Sequence, residues 1–169
     1  MPSPIGHSLA ALAVGWGVAG VATGRSGALR QAAILAAVGV APDLDLLIGR
    51  HSLETHSVGA AVLVASVAAW QRWPAATSRR VIWTAVALAW LSHPLADALS
   101  IDTSSPYGVM ALWPVSSGEI YTGWDVFGPI SRRYWLDNFW YINLTSLVRE
   151  VAILLPIATL VWWGRRPRT

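Results

Sequence analysis

The chain has no cysteine and no lysine, and only 12% of its 169 residues are charged. Without cysteine, neither a disulfide framework nor a thiolate metal site is possible. A soluble domain of this length carries about 25% charged residues. Half that figure, with 54% hydrophobic residues and a mean hydropathy of +0.48, points to an integral membrane protein. Residues 1–24 hold no Asp, Glu, Lys or Arg. The basic region that opens a secretory signal is therefore missing, and a retained first helix is expected. The sequence has no internal repeat and no low-complexity linker. All twelve basic residues are arginine. They lie in small groups between apolar runs and form no stripe, so a pI near 10 does not indicate nucleic-acid binding.

Five apolar runs are present, roughly 7–24, 28–48, 57–72, 80–98 and 141–163. They are continuous and do not alternate, which excludes a β-barrel. The expected fold is an all-α integral membrane helical bundle. It has about five transmembrane helices, with a long outer segment between helices 4 and 5, and forms a single domain over residues 1–169. Several runs fall short of the ~20 residues of a full span unless the polar motif at one end counts as helix. Gly, Ala and Val dominate the first three runs, which favours close helix packing.

Arg25, Arg30, Arg72, Arg79, Arg80, Arg165, Arg166 and Arg168 fall on one side of such a bundle. All nine acidic residues fall on the other, with Arg50, Arg132, Arg133 and Arg149. The positive-inside rule then predicts a multi-pass protein of the inner or plasma membrane, with its N-terminus outside and its C-terminus cytoplasmic. Trp70, Trp73, Trp83, Trp162 and Trp163 cluster at the arginine end. Trp113, Trp124, Trp135 and Trp140 lie in the outer segment. This is the pattern of two interfacial belts.

Ionisable groups beside apolar runs mark a functional site by default. Here they form three clusters: Pro42-Asp43-Leu44-Asp45, His51-x-x-Glu54-Thr55-His56-Ser57, and His93-Pro94-Leu95-Ala96-Asp97. His7 stands alone. Helical rise places Asp43 ~20 Å from Arg30, His93 ~20 Å from Arg80, His56 ~24 Å from Arg72, and His7 ~27 Å from Arg25. Four helices thus deliver His and Asp to one layer in the outer third of a ~30 Å core. His93 and Asp97, four residues apart, share a helix face. A helix cap or an arginine pair accounts for any one of these groups, but not for all of them at one depth. His7, Asp43, Asp45, His56, His93 and Asp97 are the candidate ligands of a divalent metal, zinc first by donor type. Their number exceeds the three that one catalytic zinc needs, so one or two ions are expected. Glu54 and His51 are the candidate catalytic residues, with Glu54 as general base. Residues 101–140, with Arg132 and Arg133, form either a lid whose arginines clamp phosphate or an interfacial loop.

Gly6-His7, Pro42-Asp43-Leu44-Asp45, Thr55-His56-Ser57 and His93-Pro94-Leu95-Ala96-Asp97, followed by Pro106-Tyr107-Gly108 and Leu112-Trp113-Pro114, resemble the membrane-bound metal-dependent hydrolase family. That family is also described as LexA-binding, inner-membrane-associated hydrolases. In many relatives Arg follows the loop histidine directly, whereas Ser52 follows His51 here. The resemblance implies a divalent-metal hydrolase in a bacterial or archaeal membrane, and it alone brings in a LexA-type partner. The expected partners are the lipid bilayer and a lipid-like or phosphate-ester substrate at the outer face. The alternatives are a metal-binding membrane protein without hydrolysis and a membrane regulator of a cytoplasmic partner. A pore is disfavoured, because helix 1 offers only Ser8 and Thr23 beyond its glycines and helix 3 only Ser66.

Overall fold

The computed structural model describes residues 1–49, 51–72, 78–103 and 107–167. Arg50, Trp73, Pro106 and Arg168, used above, lie outside the described residues. The elements in order are α1 (Pro4–Ala19), α2 (Arg25–Val40), a 3-10 segment (Ala41–Ile48), a 3-10 turn (Glu54–His56), α3 (Val58–Trp70), α4 (Arg79–Ala98) and α5 (Phe139–Arg165). The bundle is all-helical, as the sequence predicts. Among the described residues, only two isolated β-bridges occur outside helices, Ser100 with Phe127 and Val109 with Ile120.

Local signals set the helix ends. Ser3 caps α1 by accepting the Gly6 N–H at 3.2 Å, and Pro4 takes the first helical position, where its missing N–H costs nothing. The helix stops at Gly20, whose φ is 72°. Ser57 and Ser78 cap α3 and α4 in the same way, accepting from Ala60 and Val81. Pro42 has no N–H for the carbonyl four residues back, and α2 gives way to tighter 3-10 winding at Ala41. A 3-10 run of eight residues is long for that geometry. Its three-residue turn aligns buried Pro42 with buried Asp45 and turns Leu44 and Leu47 outward. The run ends at Gly49 in the left-handed region, φ 69°.

α4 is the central helix and packs against α1, α2 and α3, while α5 packs on α1. The core is built of small residues. Ala61, Ala65, Ala68 and Ala69 of α3 meet Ile82, Val86, Ala89 and Trp90 of α4 in one cluster. Large apolar side chains such as Leu63, Leu88, Leu95, Leu144 and Leu160 point outward instead, which suits a lipid surround. Arg25–Ile48, Arg79–Ala98 and Phe139–Arg165 are long and apolar enough to cross a membrane. α1 and α3 are apolar but shorter, about 24 and 20 Å by helical rise, so each falls short of a ~30 Å core. Arg165 holds the arginine end together. Its guanidinium donates to the Trp16 and Val18 carbonyls, and its own carbonyl accepts from the Val21 N–H.

Candidate metal centre

Four parts of the fold carry the site residues to the centre. His7 comes from the first turns of α1, Asp43 and Asp45 from the 3-10 segment, and His51 and His56 from the link into α3. His93 and Asp97 come from the last turns of α4. All of these converge at the end of the bundle opposite Arg165. His7, His56 and His93 are completely buried, and Asp45 and Asp97 nearly so.

The contacts form one connected network. His7 Nε2 lies 3.4 Å from Asp97 Oδ1, while Asp97 Oδ2 lies 3.4 Å from His56 Nε2 and 3.3 Å from His93 Nε2. Asp43 Oδ1 lies 3.5 Å from His93 Nε2, 3.8 Å from His56 Nε2 and 3.7 Å from His51 Nδ1. The rings of His7 and His93 stack at 3.5 Å. Two groups of donor atoms are close enough to hold an ion: His7, His93 and Asp97, and Asp43, His51 and His56. The Asp97 carboxylate touches both groups, one oxygen on His7 and the other on His56.

Ring orientation decides what these atoms can do. His93 Nδ1 sits 2.6 Å from the Gly39 carbonyl. A carbonyl only accepts, so Nδ1 carries the proton and Nε2 presents a lone pair. His56 Nδ1 faces Asp45 Oδ2 at 3.2 Å and Thr55 Oγ1 at 3.0 Å. The Thr55 hydroxyl itself donates to Asp45 Oδ2 at 2.7 Å. His56 Nδ1 is therefore also the protonated nitrogen, and its Nε2 meets that of His93 at 3.1 Å. At that distance the two nitrogens need either a proton or a metal cation between them. Among the described residues, His7 Nδ1 and Nε2, Asp43 Oδ1 and both Asp97 oxygens are buried without a hydrogen-bond partner. Such orphaned groups are costly in a protein interior.

A divalent ion fits this donor set. Two ligands ~2.1 Å from a tetrahedral ion lie roughly 3.4 Å apart, close to the 3.3 to 3.4 Å contacts that Asp97 makes with three histidines. Carbonyl and carboxylate groups behind the imidazoles are the usual supports of metal-binding histidines. The carboxylates also draw positive charge into the centre. Burial opposes charging of His56, yet Asp43, Asp45 and Asp97 raise its pKa to about 11. Burial, and then the charge on His56, hold the His51 imidazole below its ordinary value, so it stays neutral near pH 7.

The six residues expected as ligands lie together, but in two arrangements. His7, Asp43, His56, His93 and Asp97 point into the centre, while Asp45 stands behind His56 and also faces His51 Nδ1 at 3.3 Å. His51, expected as a catalytic residue, belongs to one donor group. Glu54 lines a different space, an apolar groove shared with Val58, Leu63 and Trp113. Sequence reasoning missed three supports. The Gly39 carbonyl that orients His93 carries no side-chain signal. Thr55 stands in the His56 motif, but only the fold shows that it bonds Asp45. Glu150, a lone carboxylate in the apolar α5, accepts from Ser3 N at 2.9 Å and Ser3 Oγ at 2.5 Å. It is fully buried, and an acid in a membrane helix is the signal that could have marked it.

A family model described as YdjM inner membrane protein matches residues 1–166. The chain belongs to this family. The match runs through α5 and every element that carries a candidate ligand. It also places the protein in a membrane, in agreement with the helices long enough to span one. No curated protein and no solved structure matches the chain.

Proposed function

We propose that the protein is a metal-dependent hydrolase of the inner membrane, with a one- or two-ion His/Asp centre acting on a phosphate ester or lipid-linked substrate. The observation that carries this reading is the facing pair of His56 and His93 Nε2 atoms, ringed by orphaned Asp43, Asp97 and His7 atoms. A divalent ion, zinc or one of similar preference, supplies Lewis acidity and lets water ionise near neutral pH. His7, His93 and Asp97 would hold one position, and Asp43 and His56, with Asp97, the other. Asp45 and the Gly39 carbonyl fix the imidazole tautomers. Thr55 buttresses Asp45.

A cavity of about 210 Å³ lies over the centre, lined by His51, Asp97, Asp102 and Arg132 among others. Its walls come largely from residues 101–132, which supports the lid reading of the outer segment. His51 is the one imidazole in this wall. With Nδ1 toward Asp45, its Nε2 is the basic nitrogen, the arrangement of a base with its orienting group. We assign proton transfer to His51, and Glu54 takes no part in this reading. The arginine asymmetry supports an outer-facing centre with the C-terminus in the cytoplasm. A LexA-type partner would then meet only the arginine end.

The test is elemental analysis of protein purified in mild detergent, then hydrolysis of phosphate esters with and without chelator. Bound divalent metal and chelator-sensitive turnover are expected. Metal-free protein, or turnover indifferent to chelator, would overturn the reading.

A further inference from the structure

The cavity over the centre has a roof whose attachment the metal ligands do not explain. Residues 128–132 run across it, and Pro129, Ile130 and Arg132 line its wall. This strap is tied down by α5, a helix that contributes no ligand. The Asn143 side chain pairs reciprocally with Ser131: its Oδ1 accepts the Ser131 N–H at 2.7 Å, and its Nδ2 donates to the Ser131 carbonyl at 3.0 Å. One turn further on, Ser146 Oγ donates to the Pro129 carbonyl at 2.8 Å. Gly128 lies so close to Ser146 that an added Cβ would stand 2.3 Å from its Oγ. Four points over four residues hold the backbone that carries Arg132.

Among the described residues, Arg132 is the one basic side chain other than histidine in the cavity wall. No described carboxylate pairs with it, and its described side-chain contact is a weak one, from Nη2 to Met1 Sδ at 3.6 Å. Its neighbour Arg133 lies outside the cavity wall. An unpaired guanidinium held over a cation centre leaves fork donors for an oxyanion. Two divalent ions would balance Asp43, Asp45, Asp97 and the Asp102 of the cavity wall, so the Arg132 charge is left over for an anion. The volume is below the ~300–1,000 Å³ of pockets that enclose a whole drug-sized ligand. It takes a head group and leaves the organic remainder outside.

We propose that this cavity is a phosphate subsite, that Arg132 is its clamp, and that Asn143 and Ser146 are positioning residues that set the clamp's height over the centre. This rests on the metal reading above and names the substrate class for it: a terminal phosphate on a larger group, from a lipid or from a soluble ester.

The experiment is calorimetric titration of metal-loaded protein in detergent, with metal content measured for every variant. Inorganic phosphate and a short-chain phosphatidic acid are the two probes. Wild-type protein is expected to bind both. Arg132→Gln should weaken both at least tenfold with metal content unchanged, Arg132→Lys should recover part of the loss, and Arg133→Gln should match wild type. Asn143→Ala should weaken phosphate although Arg132 is present. Tighter binding of the phosphatidic acid than of phosphate assigns the head group to a lipid, and equal binding assigns it to a soluble ester; both support the subsite. Metal-loaded wild-type protein that binds neither probe, or Arg132→Gln with wild-type affinity, overturns the subsite and leaves the metal reading standing. Protein that takes up no metal overturns both.

Discussion

Gly39→Ala tests whether helix packing and the metal centre are one structure. An added Cβ at Gly39 would lie 2.5 Å from Ala11 Cβ and 2.7 Å from the His7 carbonyl oxygen. Neither atom can swing aside, since one belongs to alanine and the other to a helix backbone. Carbon atoms rest about 3.5–4.0 Å apart, so α1 and α2 must separate by roughly 1 Å. Overpacking of this kind costs about 1–3 kcal/mol. The same displacement carries His7 away from Asp97 and moves the Gly39 carbonyl that orients His93. Metal sites tolerate only about ±0.2 Å in ligand distance, so the effect on the ion should exceed the effect on the fold. The assay is metal-to-protein ratio and thermal unfolding in detergent, with and without chelator. Gly39→Ala should lose most of its metal. Its unfolding temperature should fall by a few to about ten degrees, at about 2–4 °C per kcal/mol for a chain of this size. Gly27→Ala in the same helix is the control, because its Cβ would meet only Ala22 Cβ, at 3.7 Å. Wild-type metal content and stability in Gly39→Ala would refute the reasoning.

Asp97→Asn should abolish metal binding, since that carboxylate touches three histidines, whereas Asp45→Asn should weaken it by about 10–100-fold through the lost support of His56; chelator competition separates the two, and equal effects would contradict the division of roles. Glu54→Gln should retain both metal and turnover because Glu54 lines the groove away from the cavity, and a selective loss of turnover would restore it as the base. Glu150→Leu should lower stability by about 1–3 kcal/mol by leaving the buried Ser3 donors unpaired, read as a drop in unfolding temperature that Glu150→Gln partly recovers. A reporter fused after Thr169 should be active only in the cytoplasm, and periplasmic activity would reverse the orientation.

The helices were legible because apolar runs of this length have few alternatives. The run 80–98 and α4 nearly coincide, as do 141–163 and α5. The first run was displaced: it was drawn from 7 to 24, but α1 spans Pro4–Ala19. The Ser3-Pro4 pair starts the helix early, and Gly20 ends it at positive φ. The convergence of His7, Asp43, His56, His93 and Asp97 was legible from depth alone, because helical rise turns residue number into height. What each does at that height was not. Whether Asp43 or Asp45 points at the centre depends on 3-10 rather than α winding after Pro42, which hydropathy does not register. Glu54 sits in a short irregular link, where spacing carries no direction. Residues 101–132 have no periodicity to read, so their closure over the centre emerges only from long-range bonds such as Ser146 to Pro129.

The short helices have a bearing on what the centre can reach. α1 and α3 end below the level that a ~30 Å core requires, and both ends carry ligands or lead directly to them. Extending either helix to full length would lift His7 or His56 out of the layer that His93 and Asp97 occupy in the longer α4. Residues 128–132, between α4 and α5, are pinned at Asn143 and Ser146 beside a cavity large enough for a head group only. The outward Leu44 and Leu47 lie on the same 3-10 segment that turns Asp45 inward. On the hydrolase reading, one short element thus meets the bilayer with one face and supports the centre with the other, and an amphiphile could place its chain and its phosphate on the two sides without leaving the membrane. A water-soluble ester would gain nothing from that lip. Replacing Leu44 and Leu47 together by serine should therefore reduce binding of the phosphatidic acid probe while leaving inorganic phosphate untouched. Equal loss of both probes would mean that the lip supports only the fold.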